Sequence, residues 1–185
     1  KVHPLFLMMV QPFFQMIKGV FSTNENGRVV LQALVAVLNC YGIYSIVYKI
    51  SNSVYNAILS MLIYALSFST IIFTAVTETF LYATFCFILF WNYIVYLENC
   101  KEINWKNYVI LIVLGILCFS ITITNIIPYV IGVIYLGVKR NGIKKSFKFI
   151  IYILGCVAVS CIILSVLQKI AFPNVTAFFD IILRR

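Results

Sequence analysis

The chain has 185 residues, of which 63% are hydrophobic and 10% are charged. A soluble domain carries about 25% charged residues, so the composition excludes an ordinary soluble protein and predicts a polytopic membrane protein. The apolar runs are long enough for helices, unlike the ~10-residue alternating strands of an outer-membrane barrel, and they predict an all-α transmembrane bundle. The net charge of +9 indicates membrane topology and contact with membrane lipids, and no nucleic acid partner.

The first segment, residues 4–21, is predicted to be an interfacial juxtamembrane helix. Gln11, Gln15 and Lys18 form one polar stripe on it, and Pro12 interrupts it, which favours a helix lying in the membrane surface over a slightly polar spanning helix. Six spans, some of them short, are predicted to follow: 29–48, 54–76, 80–97, 108–124, 126–138 and 147–167. Because the chain starts at Lys1 and ends as an apolar stretch resumes, we expect 1–185 to be a single transmembrane-domain fragment of a longer protein.

Residues 108–138 form one apolar run that is too long for a single straight span, since a helix of that length would reach about 46 Å across a core of about 30 Å. Pro128 removes a backbone donor near its centre, and Asn125 can bind freed backbone groups. These features predict a helical hairpin with its tip at Asn125, and a single kinked helix is the alternative.

The basic segment 139–148 carries five positive charges and no acid, which predicts that it is cytoplasmic. The hairpin then places Lys49, Lys101 and Lys106 on the inside as well, whereas a kinked helix would place them outside. Charge bias therefore favours the hairpin. With it, three polar elements are predicted to lie on the outer side: Arg28, Glu78 and Asn125.

Glu78 is the strongest functional candidate because it lies between two long apolar runs. An ionised carboxylate at membrane depth costs at least about 2.5 kcal/mol unless it faces a partner, a ligand or water. A polar face precedes it, made of Ser67, Thr70, Thr74 and Thr77 at 3-4-3 spacing. Such a face can line a polar cavity, although small polar residues also pack helices against each other. A helix N-terminus that stabilises the Glu78 charge is the structural alternative.

Short motifs in the chain resemble the polytopic glycosyltransferases of the GT-C fold, which include the protein O-mannosyltransferases and bacterial lipid-linked sugar transferases. The resemblance rests on His3-Pro4 before the striped helix, on Arg28 opening the first span, on the acid Glu78 opening a later span, and on the Thr124-Asn125 hairpin tip. One departure is Leu5, where the family usually has a second proline.

The resemblance implies an enzyme that moves a sugar from a polyprenyl-phosphate donor to an acceptor at the outer face of the membrane. It implies a general-base Asp upstream of Lys1, outside this chain, so that no catalytic residue is assigned within it. The residues expected to bind substrate are Glu78, His3, Asn125, Thr124 and Arg28. No His and Cys spacing typical of a metal site occurs, no cofactor is assigned, and a divalent metal at Glu78 stays open.

Two other functions are compatible with the sequence. A secondary transporter would use Glu78 as its coupling acid and the interrupted helix near Asn125 as part of its ion path. A non-catalytic membrane subunit would need Glu78 for stability alone. The high content of Ile, Asn, Lys and Tyr is typical of an AT-rich bacterial genome, which predicts a multi-pass protein of the bacterial inner membrane.

Overall fold

The computed structural model describes residues 24–75 and 79–171, together with all their side chains except those of 24–26, 123, 143–144 and 171. Every regular element in these residues is a helix, which confirms the all-α prediction. The predicted interfacial helix over 4–21 lies outside the described residues. The described chain divides into two compact units, an N-terminal unit within residues 11–101 and a C-terminal unit within residues 102–185.

Within residues 24–75 and 79–101, the N-terminal unit contains four helices. Helix α1 covers Asn24–Ser51, α2 covers Val54–Ala65, α3 covers Phe68–Ala75 and α4 covers Phe80–Asn99. Helix α1 packs against the other three. Within α1, Gly42 is the point of closest approach, because a Cβ atom there would collide with the Ile88 side chain of α4.

The segment 54–76, predicted as one span, contains two helices, α2 and α3. They are bent by 54° at Leu66 and Ser67, which is the geometry of a broken span or a re-entrant loop, so the prediction of one span stays open. Ser67 stabilises the new start because its Oγ atom accepts a hydrogen bond from the Thr70 amide at 3.3 Å. The side chain therefore satisfies a backbone donor that the break leaves open.

The C-terminal unit contains two helices and a short turn. Helix α5 covers Trp105–Ile121, a 3₁₀ turn covers Ile123–Asn125, and α6 covers Ile126–Ala171. The chain thus breaks where the hairpin tip was predicted. Thr122 ends α5 in an extended conformation, and Pro128 lies in the first turn of α6, where its missing amide hydrogen costs no helical bond.

Helix α6 is itself divided by Gly142, whose φ of 69° and ψ of 167° are non-helical. This backbone conformation favours glycine, and a Cβ there would meet no atom within 4 Å. We call the parts before and after it the first arm, 126–141, and the second arm, 143–171. The basic segment 139–148 is therefore helical on both sides of Gly142, consistent with the high helix propensity of Lys and Arg.

Three described helices are long and apolar enough to cross a membrane: Gly27–Ser51, Phe80–Asn99 and Lys145–Ile170. The bent pair α2 and α3 makes a fourth if it is one span, and Trp105–Ile121 is a shorter apolar helix. These helices support a membrane protein, in agreement with the composition.

The core of the C-terminal unit depends on close packing around Gly115 of α5. A Cβ atom at this position would lie 2.7 Å from the Tyr129 hydroxyl oxygen and 2.7 Å from Val157 Cγ2. The same Tyr129 hydroxyl donates a hydrogen bond to the Leu111 carbonyl at 3.0 Å. Both arms of α6 therefore contact α5 at this level.

We predict that Gly115→Ala destabilises the protein by about 1–3 kcal/mol, the usual cost of overpacking. Gly155→Ala is the matched control, because a Cβ at Gly155 meets no atom within 4 Å and alanine has the higher helix propensity. Thermal unfolding of both variants in detergent measures the difference. Equal unfolding midpoints for the two variants would contradict the packing described for Gly115.

Candidate functional site

A cluster of polar side chains lies inside the N-terminal unit, close to the bend between α2 and α3. We call it the polar cluster, and its members are Gln32, Asn39, Tyr64, Ser67, Thr70 and Thr74. Gln32 is 2% exposed, Asn39 is 0% exposed and Thr70 is 8% exposed. Burying polar groups at such depth is costly unless they are hydrogen-bonded. The hydrogen-bond partner of each polar atom therefore shows whether the cluster is structural or can bind a ligand.

The hydroxyl groups of α3 and of Ser67 just before it form hydrogen bonds within this segment. Ser67 Oγ donates to Thr70 Oγ1 at 2.9 Å, and Thr74 Oγ1 donates to the Thr70 carbonyl at 2.7 Å. The polar face predicted from the 3-4-3 spacing is therefore present through Thr74. Its hydroxyl groups are engaged within α3, as in helices that use Ser and Thr for local packing.

Two buried amides of α1, Gln32 and Asn39, contact the chain before and after Glu78 in the sequence. Gln32 Nε2 donates to the Phe73 carbonyl at 3.5 Å, and Asn39 Nδ2 donates to the Leu81 carbonyl at 3.1 Å. The rings of Phe73 and Phe80 also stack, with centroids 5.1 Å apart. Helix α1 thus fixes both the end of α3 and the start of α4.

Asn39 retains one unused acceptor. Its Oδ1 atom is buried and has no hydrogen-bond partner in the described structure. The hydroxyl of Tyr64 lies near the side chains of Asn39 and Thr70. A buried oxygen without a donor costs about 1–3 kcal/mol, so this atom suits a donor that enters from outside, such as water or a ligand hydroxyl.

Asn92 of α4, in the same unit, is an amide whose nitrogen and oxygen both form hydrogen bonds. Its Nδ2 donates to the Gly42 carbonyl at 2.9 Å and to the Ile88 carbonyl at 3.2 Å, and its Oδ1 accepts from Lys49 Nζ at 3.1 Å. Asn92 is therefore a structural link between α1 and α4. The contrast marks Asn39 as an amide of this unit whose oxygen can still accept a hydrogen bond.

The substrate-binding residues predicted from sequence fall into three groups. Glu78 and His3, with Thr77 of the polar face, lie outside the described residues. Arg28 is an exposed residue of α1 in the N-terminal unit, whereas Thr124 and Asn125 lie together in the 3₁₀ turn of the C-terminal unit. Thr124 is exposed, and the backbone N–H of Asn125 donates a hydrogen bond to the Thr122 carbonyl at 3.0 Å.

Sequence reasoning missed Gln32 and Asn39. Both lie within the long apolar span 29–48, where an occasional polar residue is unremarkable. Their spacing of seven residues was the available signal, because positions i and i+7 share one helix face. Among residues 24–75 and 79–171, no three His, Cys, Asp or Glu side chains lie close enough to hold a metal ion.

Comparison of the chain with protein-family models, with curated proteins and with solved structures finds no match. The functional inference therefore depends on the residues and contacts of this chain.

We predict that Asn39→Leu and Asn92→Leu differ in their effect on stability. Asn92→Leu removes three hydrogen bonds and should lower the free energy of unfolding by about 1–3 kcal/mol. Asn39→Leu removes the bond to Leu81 and the contact with Tyr64, but it also removes an unsatisfied oxygen, so the change should stay below about 1 kcal/mol. Chemical denaturation in detergent measures both. A loss for Asn39→Leu as large as that for Asn92→Leu would assign Asn39 a purely structural role.

Proposed function

We propose that the protein is a membrane glycosyltransferase that moves a sugar from a polyprenyl-phosphate donor to an acceptor at the outer face of a bacterial inner membrane. One observation carries the proposal: the buried amides Gln32 and Asn39 hold the chain on both sides of Glu78, and Asn39 keeps a free acceptor. An acid and a free amide oxygen in an apolar bundle suit a ligand rich in hydroxyl groups.

The proposed chemistry is inverting transfer. The acceptor oxygen attacks the anomeric carbon, the bond between that carbon and the phosphate oxygen breaks, and polyprenyl phosphate leaves with the bonding electrons. A carboxylate takes the acceptor proton, and the GT-C resemblance assigns that role to an Asp upstream of Lys1. Glu78 then binds a sugar hydroxyl or the acceptor, and His3 lies near the donor phosphate.

Asn39 has a distinct proposed role in this scheme. Its free Oδ1 accepts a hydrogen bond from a sugar hydroxyl, and its Nδ2 stays bound to the Leu81 carbonyl. A site that hydrogen-bonds a substrate hydroxyl discriminates strongly against an analogue that lacks it. The polar cluster would therefore contribute to the choice of sugar. For Arg28, Thr124 and Asn125, the assignment as substrate-binding residues rests on the resemblance alone.

A secondary transporter is the second candidate, and the bend of 54° between α2 and α3 favours it. Broken helices leave backbone groups free to bind ions or substrates at membrane depth. In this scheme, Glu78 takes up and releases a proton as the substrate moves. The transferase is preferred because the Ser67 and Thr70 side chains occupy the bend with their own hydrogen bonds.

We predict that Glu78→Gln lowers kcat/KM for sugar transfer by about 10- to 100-fold, the value of one hydrogen bond to a charged group. The measurement uses the full-length protein in liposomes and polyprenyl phosphates that carry radiolabelled hexoses. Glu102→Gln, a change of the same chemistry at an exposed position, is the matched control. If Glu78→Gln and His3→Ala both retained full activity, their assignment to the substrate site would be wrong.

The same liposomes separate the competing functions. A transporter moves labelled substrate across the membrane without forming a glycosidic bond. Its flux depends on a proton gradient, and Glu78→Gln abolishes this dependence. We predict product formation that is independent of such a gradient. Gradient-dependent flux without product would replace the transferase with the transporter. Loss of stability in Glu78→Gln, with neither activity in the parent protein, would favour a non-catalytic subunit.

A further inference from the structure

The direction of the helices in the C-terminal unit brings separate basic residues to one end. The Tyr108 ring of α5 lies 5.7 Å from the Phe149 ring and 6.2 Å from the Tyr152 ring of the second arm. Further along, a Cβ at Gly115 would lie 2.7 Å from Val157. These contacts advance in the same direction, so α5 and the second arm run parallel. The start of α5 therefore lies at the same end as the break at Gly142.

This shared end carries five cations among the side chains that the structure describes, and we call them the basic rim. Its members are Lys106, Lys139, Arg140, Lys145 and Lys148. Glu102, an exposed acid just before Trp105, lies beside the rim, whereas residues 103–171 contain no Asp or Glu. The cations of the rim therefore outnumber this acid. Lys106, Lys139, Lys145 and Lys148 are exposed. The opposite end of the second arm carries one cation, Lys169.

Aromatic side chains surround the basic rim. Trp105 is 70% exposed, Tyr152 is 57% exposed and Tyr135 is 41% exposed. Lys139 Nζ lies 3.2 Å from the Tyr135 hydroxyl and 5.5 Å from the centre of its ring. Exposed Trp and Tyr residues are typical of the membrane–water interface, so this end of the unit lies at the level of the lipid headgroups.

We propose that the basic rim is a binding surface for anionic phospholipids, whose headgroup phosphates pair with its exposed lysines. The partner follows from the surface, because a region with more cations than acids at headgroup depth attracts negatively charged lipids. The opposite end has the neutral side chains of Thr122, Thr124 and Asn125 and the single cation Lys169 among the described residues, so this attraction is weaker there. The inference is independent of the enzymatic activity proposed above and concerns how the unit is anchored and oriented.

Trp105 provides a probe at the rim itself. Residues 1–185 contain two tryptophans, so Trp91→Phe, together with Trp→Phe changes at any position outside these residues, leaves Trp105 as the only fluorophore of its kind. The full-length protein is reconstituted with phosphatidylglycerol or phosphatidylcholine brominated in the acyl chains, and the quenching of Trp105 reports which lipid lies beside it. We expect a severalfold preference for phosphatidylglycerol, which falls as salt rises because the Debye length shortens.

The combined variant Lys139→Gln, Lys145→Gln and Lys148→Gln should lose most of this preference. Lys169→Gln, which removes a cation from the other end of the same arm, should keep it. Equal quenching by the two lipids in the parent protein, or an unchanged preference in the triple variant, would overturn the proposal. Displacement of phosphatidylglycerol by inorganic phosphate, but not by chloride at equal ionic strength, would also overturn it by indicating a site for soluble phosphate.

Discussion

The absence of water from the hydrocarbon core is the constraint on which this structure depends. Each backbone or side-chain polar group at that depth must find a partner inside the protein. Asn92 meets this demand with hydrogen bonds to Gly42, Ile88 and Lys49, and in doing so it ties α1 to α4. The break at Ser67 meets it with a side-chain cap. A buried polar group that lacks a hydrogen-bond partner is therefore a candidate for binding a ligand.

Asn39 departs from it, since its Oδ1 atom is buried without a donor. The cost of such a group is of the order of 1–3 kcal/mol, which is a large part of the stability of a small protein. Its Nδ2 atom bonds the Leu81 carbonyl, shortly after Glu78 in the sequence, which connects this cost to the proposed function. In the proposed transferase, a sugar hydroxyl that satisfies the amide recovers the lost hydrogen bond, and the recovered free energy contributes to binding.

Local signals in the sequence predicted several features of the fold. Pro128 marked the start of α6, and the run of lysines before and after Gly142 marked the turn between its two arms. The bend at Leu66 and Ser67 was not predictable in the same way, because no Gly or Pro interrupts the apolar pattern there. Gln32 and Asn39 were missed for a related reason: their importance lies in what α1 packs against, which a single helix pattern does not reveal.

The most direct test is an experimental structure of the full-length protein in lipid nanodiscs with a bound polyprenyl-phosphate hexose. The account predicts a sugar hydroxyl within hydrogen-bonding distance of Asn39 Oδ1, with Glu78 on the same side of the sugar. A polar cluster that stays closed and dry, with the sugar bound elsewhere, would contradict it.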